Sequence, residues 1–456
     1  MGRKLRIIGF ALCSLFFVSV QAQDSLQQTV DSVQKVEKPK VNQFSLGLNL
    51  MARGEIRDGG FPQDPEAVHP TDRSMFVQGR ARLTIGYERP HFATKISMQY
   101  TGVWGQEINK NTFNLYEAWG LLTSKQGLFL QFGRQALSYD DERVIGPDDW
   151  SMAGMSHDAL RLGFEGFGHK LHIIGAYNQL NGNMTAGTTF FANGGVPYKT
   201  MQMLWYHYDL PIFPFSASAL FMNIGMQAGQ KGEDEHIEWQ QMAGAYIKCC
   251  PKYCTFEASY YHQFGKTEYG LPINAFMVSC KAQVQPSPIY GFVAGYDYLS
   301  GDDYVVVLYP GGMGLPLHKV MKGFNPIYGS HHQFYGAMDF FYVTAFVNGF
   351  SPGLQNAYAG VMVNPVKGLN ISAKYHYMAV TTNLTDKGVP MDKTLGHMAE
   401  IELSYQILKD FKLAGGFSYM GGSDTMQRLK RASDDGRLLW GWISLVATPT
   451  LVKTRW

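Results

Sequence analysis

Leu395-Gly-His-Met-Ala-Glu-Ile-Glu-Leu-Ser-Tyr-Gln406 carries Leu395, Ala399, Ile401, Leu403 and Tyr405 at odd positions, with Gly396, Glu400, Glu402, Ser404 and Gln406 between them. A period of two sends successive side chains to opposite faces, so this stretch reads as a strand with one apolar and one charged face. The same period runs through Phe44, Leu46, Leu48 and Leu50, and through Ile371, Ala373, Tyr375 and Tyr377 against Ser372, Lys374 and His376. Such strands suit either a soluble sandwich or a barrel in lipid.

Connection lengths separate the two. Short links fall at 89–90, 124–126, 166–168, 209–214, 251–252, 285–288, 364–368 and 408–410. Longer polar ones lie between them at 58–71, 105–112, 137–156, 181–199, 229–235, 265–272, 300–356, 381–393 and 421–436. Short turns alternating with long loops mark a transmembrane antiparallel β-barrel. Eight turns and nine loops join eighteen strands, an even number that returns both termini to the periplasm. The segment 334–347 is also strand-like, but counting it makes nineteen, so it is assigned to the loop 300–356. A loop that long is usually functional.

Composition agrees. The 456 residues include Gly 50, Tyr 26, Phe 29 and Trp 8, with 17% charged residues and a mean hydropathy of −0.15. That excludes disorder and a bundle of membrane helices. Residues 1–22 read as a secretory signal: Arg3, Lys4 and Arg6, an apolar run from Ile7 to Val20, then Ala22. Residues 23–42 read as a polar periplasmic tether, 43–449 as the barrel and 450–456 as a C-terminal tail. The formal charge of +2 belongs to the signal: without Arg3, Lys4 and Arg6, 36 basic residues face 37 acidic ones, a net of −1.

In lipid the polar alternates must point inward, because a charge on the lipid face at mid-depth costs roughly 2–4 kcal/mol. Parity then gives a basic lining of Arg53, Arg57, Arg80, Arg82, Lys95, Arg161, Lys170, Lys281, Lys374 and Lys412. The acidic members are Glu55, Glu88, Glu165, Glu257, Glu400 and Glu402, with Lys374 across from Glu400 and Glu402. Guanidinium forks grip carboxylates in bidentate fashion, so an arginine-rich constriction concentrates anions.

Several motifs resemble the alginate-export family of outer-membrane porins. They are Arg53-Gly-Glu-Ile-Arg57-Asp58-Gly59, Met75-Phe-Val-Gln-Gly-Arg80-Ala-Arg82-Leu83, Gly133-Arg134-Gln135 and Leu137-Ser-Tyr-Asp-Asp-Glu142-Arg143. Asp158-Ala159-Leu-Arg161-Leu162, Phe324-Asn-Pro-Ile-Tyr-Gly-Ser-His331-His332 and Asp424-Thr-Met-Gln-Arg-Leu-Lys430 follow in order. The resemblance implies an eighteen-stranded barrel whose arginine-lined pore exports an acidic polysaccharide. It points to Arg53, Arg57, Arg80, Arg82, Arg134 and Arg161, although Arg134 shares parity with lipid-facing Leu130 and Phe132. The sequence departs from the pattern in Asp140-Asp141-Glu142, Asp148 and Asp149, which would repel a polyanion or bind a cation. It also runs past Pro449, so Trp440 or Trp442 is expected to supply the aromatic girdle and the assembly signal.

The expectation is an outer-membrane channel for acidic polysaccharide or small anionic solutes, gated by 300–356 or 137–156. Its partners are membrane lipids and periplasmic export components, with no cofactor and no nucleic acid. The alternatives are a general porin of mixed selectivity and a plugged barrel serving as a surface scaffold. No catalytic or metal site is expected. Ser156-His157-Asp158 is contiguous, and adjacent strand side chains diverge; His318 and the pair His331-His332 read as ordinary loop histidines. Gly311-Gly-Met-Gly314 lacks the Lys-Ser/Thr of a phosphate loop. Cys249, Cys250, Cys254 and Cys280 survive the signal, and Cys254 and Cys280 have the parity for a bridge.

Overall fold

The computed structural model describes residues 41–59, 73–106, 112–178, 198–230, 232–302, 320–341, 351–386, 389–430 and 436–456. The expected signal, most of the tether, His318, the Gly311–Gly314 turn and the end of the strand-like segment 334–347 lie outside the described residues.

Eighteen antiparallel staves close into one barrel. The first nine are β1 (Gln43–Asp58), β2 (Arg73–Arg89), β3 (Phe92–Val103), β4 (Thr112–Thr123), β5 (Leu128–Gln135), β6 (His157–Gly166), β7 (His169–Tyr177), β8 (Thr200–Asp209) and β9 (Phe215–Ala228). The second nine are β10 (His236–Cys249), β11 (Cys254–Lys266), β12 (Pro272–Val284), β13 (Tyr290–Leu299), β14 (Leu354–Val363), β15 (Leu369–Ala379), β16 (Thr394–Leu408), β17 (Phe411–Gly422) and β18 (Arg437–Ala447). Short turns close one end, the turn end, and the long connections leave the strands at the other, the loop end.

The seam pairs β18 with β1, from Leu50↔Ala447 to Asp58↔Leu439. Pro449 has no amide hydrogen to donate and interrupts the ladder. Pairing then resumes from Gly47↔Thr450 to Gln43↔Arg455. The expected tail 450–456 is therefore strand through Arg455, and Trp456 exchanges backbone hydrogen bonds with Asn42 at 2.9 and 3.1 Å.

The outer face carries Ile96, Phe132, Leu160, Ile173, Leu204, Phe221, Phe292, Ile401 and Ile443, all at least 40% exposed. An apolar belt on a closed sheet with polar alternates inside is the arrangement lipid imposes, since it leaves no unpaired backbone edge in hydrocarbon. Three features differ from what the sequence suggests. Leu395 is an extra residue on β16, bulged opposite the Met378–Ala379 step of β15, and it turns inward, where it is fully buried. Trp440 is also fully buried on the inner face, and Trp442 packs beside it, so neither forms the expected outer girdle. Cys254 and Cys280 pair across with Val284 and Ala258, four residues apart along the ladder, and all four cysteines are free.

Two long connections enter the barrel. The third, L3 (residues 136–156), and the described part of the seventh, L7 (residues 320–341), meet at an Ile145–Tyr328 bridge. Leu137, Tyr139, Val144 and Ile145 of L3, with Tyr328, Tyr335, Met338, Phe340 and Phe341 of L7, form one buried cluster. It rests on inward-facing Met201, Met222, Met242, Met277, Met378, Met398 and Met420. Burying each large apolar side chain contributes about 1.5–3 kcal/mol, and flexible thioethers fit an irregular loop surface. Among the described residues, 334–341 hold no strand, in line with their assignment to the loop.

Candidate functional site: the loop-lined lumen

β1 and β2 bring Arg53, Arg57, Arg80 and Arg82 onto one inner wall. Arg53 Nε lies 2.9 Å from Glu55, its Nη1 donates to the Trp150 carbonyl at 2.8 Å, and its guanidinium sits 4.0 Å from the Trp150 ring centroid. Arg57 Nη2 lies 3.2 Å from Glu55, and Nη1 donates to the Met338 carbonyl at 2.9 Å. Arg80 and Arg82 share Asp149 at 3.0 and 2.9 Å, and Arg82 also donates to Gln99 at 2.8 Å while lying 3.6 Å from the Tyr116 ring centroid. These guanidiniums are engaged by L3 and L7. The Arg80 side chain is 0% exposed and that of Asp149 50%, so the carboxylate is the group facing open space here.

At three lysine pairs, one beside this wall and two farther round the barrel, the order is reversed. Lys374 lies 2.8 Å from Glu400, with side-chain exposures of 30% and 2%. Lys281 pairs with Glu257 at 37% against 13%, and Lys95 with Glu117 at 36% against 8%. Lys248 also approaches Glu257, at 3.7 Å. Each carboxylate lies against the wall, and its lysine reaches over it into the lumen. Lys95, Lys248 and Lys281 lie toward the turn end of their strands, and Lys374 lies at the middle of its own.

L3 is pinned to several walls. Asp140, at φ +57°, accepts hydrogen bonds from Trp205 Nε1 at 2.9 Å, Tyr261 Oη at 2.8 Å and Ser218 Oγ. Burial raises its pKa, against the pull of those three donors. Arg143 holds Asp141 at 3.2 Å and lies 3.1 Å from Asp297. Asp297 in turn accepts from Ser279 and Asn356, and His376 bonds Asn356 at 2.9 Å. Glu142 accepts from Ser330 and Gln333 of L7 at 3.0 Å each. At the loop junction His332 stacks on Trp150 at 3.6 Å and bonds Asp339. Asp148 beside them is pushed up to about 6, first by burial and then by the Asp339 charge.

The remaining expected residues fall as follows. Arg161 faces inward and donates to Gln131. Glu402 lies opposite Ser372 on the face that also carries Glu400, and Lys374 stands directly across from Glu400, as the sequence suggested. Lys170 bonds Asp209 at 3.3 Å, and Glu88 and Lys412 are exposed at the turn end. Arg134 is placed on the outer face: it pairs with Asp158 at 2.7 Å in register with outward Phe132 and Leu160, so it does not join the arginine wall. His157 and Asp158 diverge as expected, His157 inward to Tyr198 at 2.8 Å. The parity reading missed Lys248, whose phase matches buried Tyr246, and Glu117, where a bulge inserts Tyr116. It also missed Arg143, whose loop position carries no parity signal.

Together these features define a membrane-spanning eighteen-stranded barrel with two loops folded into its lumen. It is similar in fold to outer-membrane porins. OccK2 (OpdF) of Pseudomonas aeruginosa aligns with TM-score 0.59 at 12% identity, covering 90% of this chain and 98% of that one. OpdL of the same organism gives 0.58 at 13% identity, covering 90% and 99%. OccAB1 of Acinetobacter baumannii gives 0.57 at 11% identity, covering 90% and 97%. At these identities the likeness is one of fold. No family model and no curated protein matches the sequence, so the resemblance to the alginate-export family rests on the quoted motifs.

Proposed function

We propose that this chain is an outer-membrane channel porin, with both termini in the periplasm, that passes small anionic solutes. The carrying observation is the exposure order of the lysine pairs: Lys95, Lys281 and Lys374 present ammonium groups to the lumen, while Glu117, Glu257 and Glu400 lie beneath them. Exposed cations over buried carboxylates attract anions, and several weak sites around a wall let a solute pass without trapping it. The likeness in fold to known porins supports the channel, and the apolar outer belt supports the membrane.

Acidic polysaccharide is the second reading, favoured by the motifs quoted above. A polymer needs L3 and L7 to withdraw, because both occupy the loop half of the lumen and bridge to each other. Periplasmic export components would then be partners.

Planar-bilayer recording of the folded chain separates these. Anion-selective reversal potentials, lost in the triple variant Lys95→Gln, Lys281→Gln, Lys374→Gln, are the expected result. Cation selectivity of the unmodified chain would sink the reading. Current blockade by oligouronates but not by acetate would favour the polymer.

A further inference from the structure

Beneath the L3–L7 junction, a cavity of about 60 Å³ opens between Asp141 and Arg143 of L3, Gln333 and Phe334 of L7, and the inner wall of β10 to β14. Lys281, 37% exposed, is part of its lining, so the cavity communicates with open space. At about 10–15 Å³ per water, its volume equals four to six waters, the size of a solute with about five heavy atoms.

Its charges come in matched pairs. Asp141 is held by Arg143 at 3.2 Å, and Glu257 is held by Lys281 and accepts from Tyr246 at 2.7 Å. The lining therefore carries both signs in balance. A bare anion or cation entering it would add an uncompensated charge at low dielectric, whereas a solute carrying both signs would not. The Ser259 hydroxyl supplies the second observation. Ser259 lines the cavity, is 5% exposed, and its Oγ meets no hydrogen-bond partner among the described residues. Buried hydroxyls are rarely left this way unless water or a ligand completes them.

We infer that this cavity is a binding subsite for a small zwitterion, an amino-carboxylate of glycine size. Its carboxylate is taken by Lys281 and the Ser259 hydroxyl, and its ammonium by Asp141 and Glu257. The inference rests on reading the lumen as a solute path. It goes beyond that reading in naming a site that selects net-neutral, doubly charged solutes inside a channel whose lysines favour anions.

The test is titration calorimetry on the folded full-length chain in detergent, with glycine, acetate, ethylammonium and glycerol as separate probes. Glycine is expected to bind at least tenfold more tightly than the other three. Ser259→Val, which removes the hydroxyl and adds a methyl group to the lining, and the double change Glu257→Gln with Lys281→Met, which removes one of the two ion pairs, are each expected to abolish glycine binding. Retention of the compact, heat-resistant barrel on gels checks that the variants fold. Acetate or glycerol binding as tightly as glycine overturns the zwitterion class, and no binding by any probe overturns the site. Reversal potentials of the unmodified chain keep the two readings apart. Anion selectivity without glycine binding defeats the subsite alone, and glycine binding without anion selectivity defeats the anion channel alone.

Discussion

The arginine wall and the lysine wall use the same ion-pair chemistry with opposite exposure. On β2 the cations Arg80 and Arg82 are hidden, at 0% and 10%, and their shared carboxylate Asp149 faces out at 50%. At the Lys95, Lys281 and Lys374 pairs the carboxylate is hidden and the cation faces out, as with Lys374 and Glu400 at 30% and 2%. The difference follows from what each wall meets. Arginine's planar fork satisfies several acceptors at once, so it suits a wall that anchors loop carbonyls and Asp149. Lysine ends in one hydrated point charge on a long stem, which can cover a buried carboxylate and still touch water. The arginines that look most anion-binding in the sequence are engaged by loop groups, and the lysines are the cations left exposed.

The largest expected break in that contrast is Arg143→Met. Removing a buried cation leaves Asp141 and Asp297 uncompensated, which by analogy with other buried pairs costs about 3–5 kcal/mol. The expected outcome is release of L3, seen as a severalfold rise in single-channel conductance and new protease cleavage within 136–156. Unchanged conductance would show that the loops are held by apolar packing alone.

Next in size is the double change Arg80→Ala and Arg82→Ala. If these arginines are anchors, conductance rises and becomes noisy while anion preference is retained. Loss of selectivity without a change in conductance would reassign them as the anion-attracting groups and erase the contrast. The lysine triple variant should do the reverse, moving the reversal potential toward cations at nearly constant conductance.

A smaller effect is expected with pH. Asp148 sits in L3 with its pKa raised from 3.8 to about 6, first by burial. A carboxyl raised in the folded-in loop favours that arrangement when protonated. Stability of the closed loop is therefore gained as pH falls through about 6 and levels off below the ordinary value of 3.8. Conductance recorded from pH 7 to pH 4 should fall, and Asp148→Asn should remove that dependence. A rise on acidification would contradict the assignment. The smallest expected effect is that of Arg134→Ala, which removes an outer-face pair with Asp158 and should leave conductance and selectivity unchanged.

Much of the fold was legible because lipid enforces parity. The eight short turns and nine loops match the connections between β1 and β18, and the Lys374–Glu400 pair follows from two alternating strands. Legibility failed where backbone irregularity shifts the period. One extra residue on β4 places both Tyr116 and Glu117 inside, and a bulge beside Ala379 turns Leu395 inward. It also failed in the loops. The balance of ten basic to six acidic wall residues omitted Asp140, Asp141, Glu142, Asp148 and Asp149, because nothing in their spacing says that L3 folds into the barrel. Trp440 and Trp442 were misplaced for a related reason: a tryptophan near the end of a strand suits the membrane interface as well as it suits stacking on Trp150 inside.

By itself the sequence determined the strand number, the alternation of turns and loops, and which faces meet lipid. Those follow from local periodicity and from the cost of placing charge in hydrocarbon. Only the tertiary structure decided which cations are anchors and which are presented. An arginine and a lysine on the same inner face are equivalent by parity. What distinguishes them is whether a loop distant in sequence arrives to take up their donors, and that depends on three-dimensional contact.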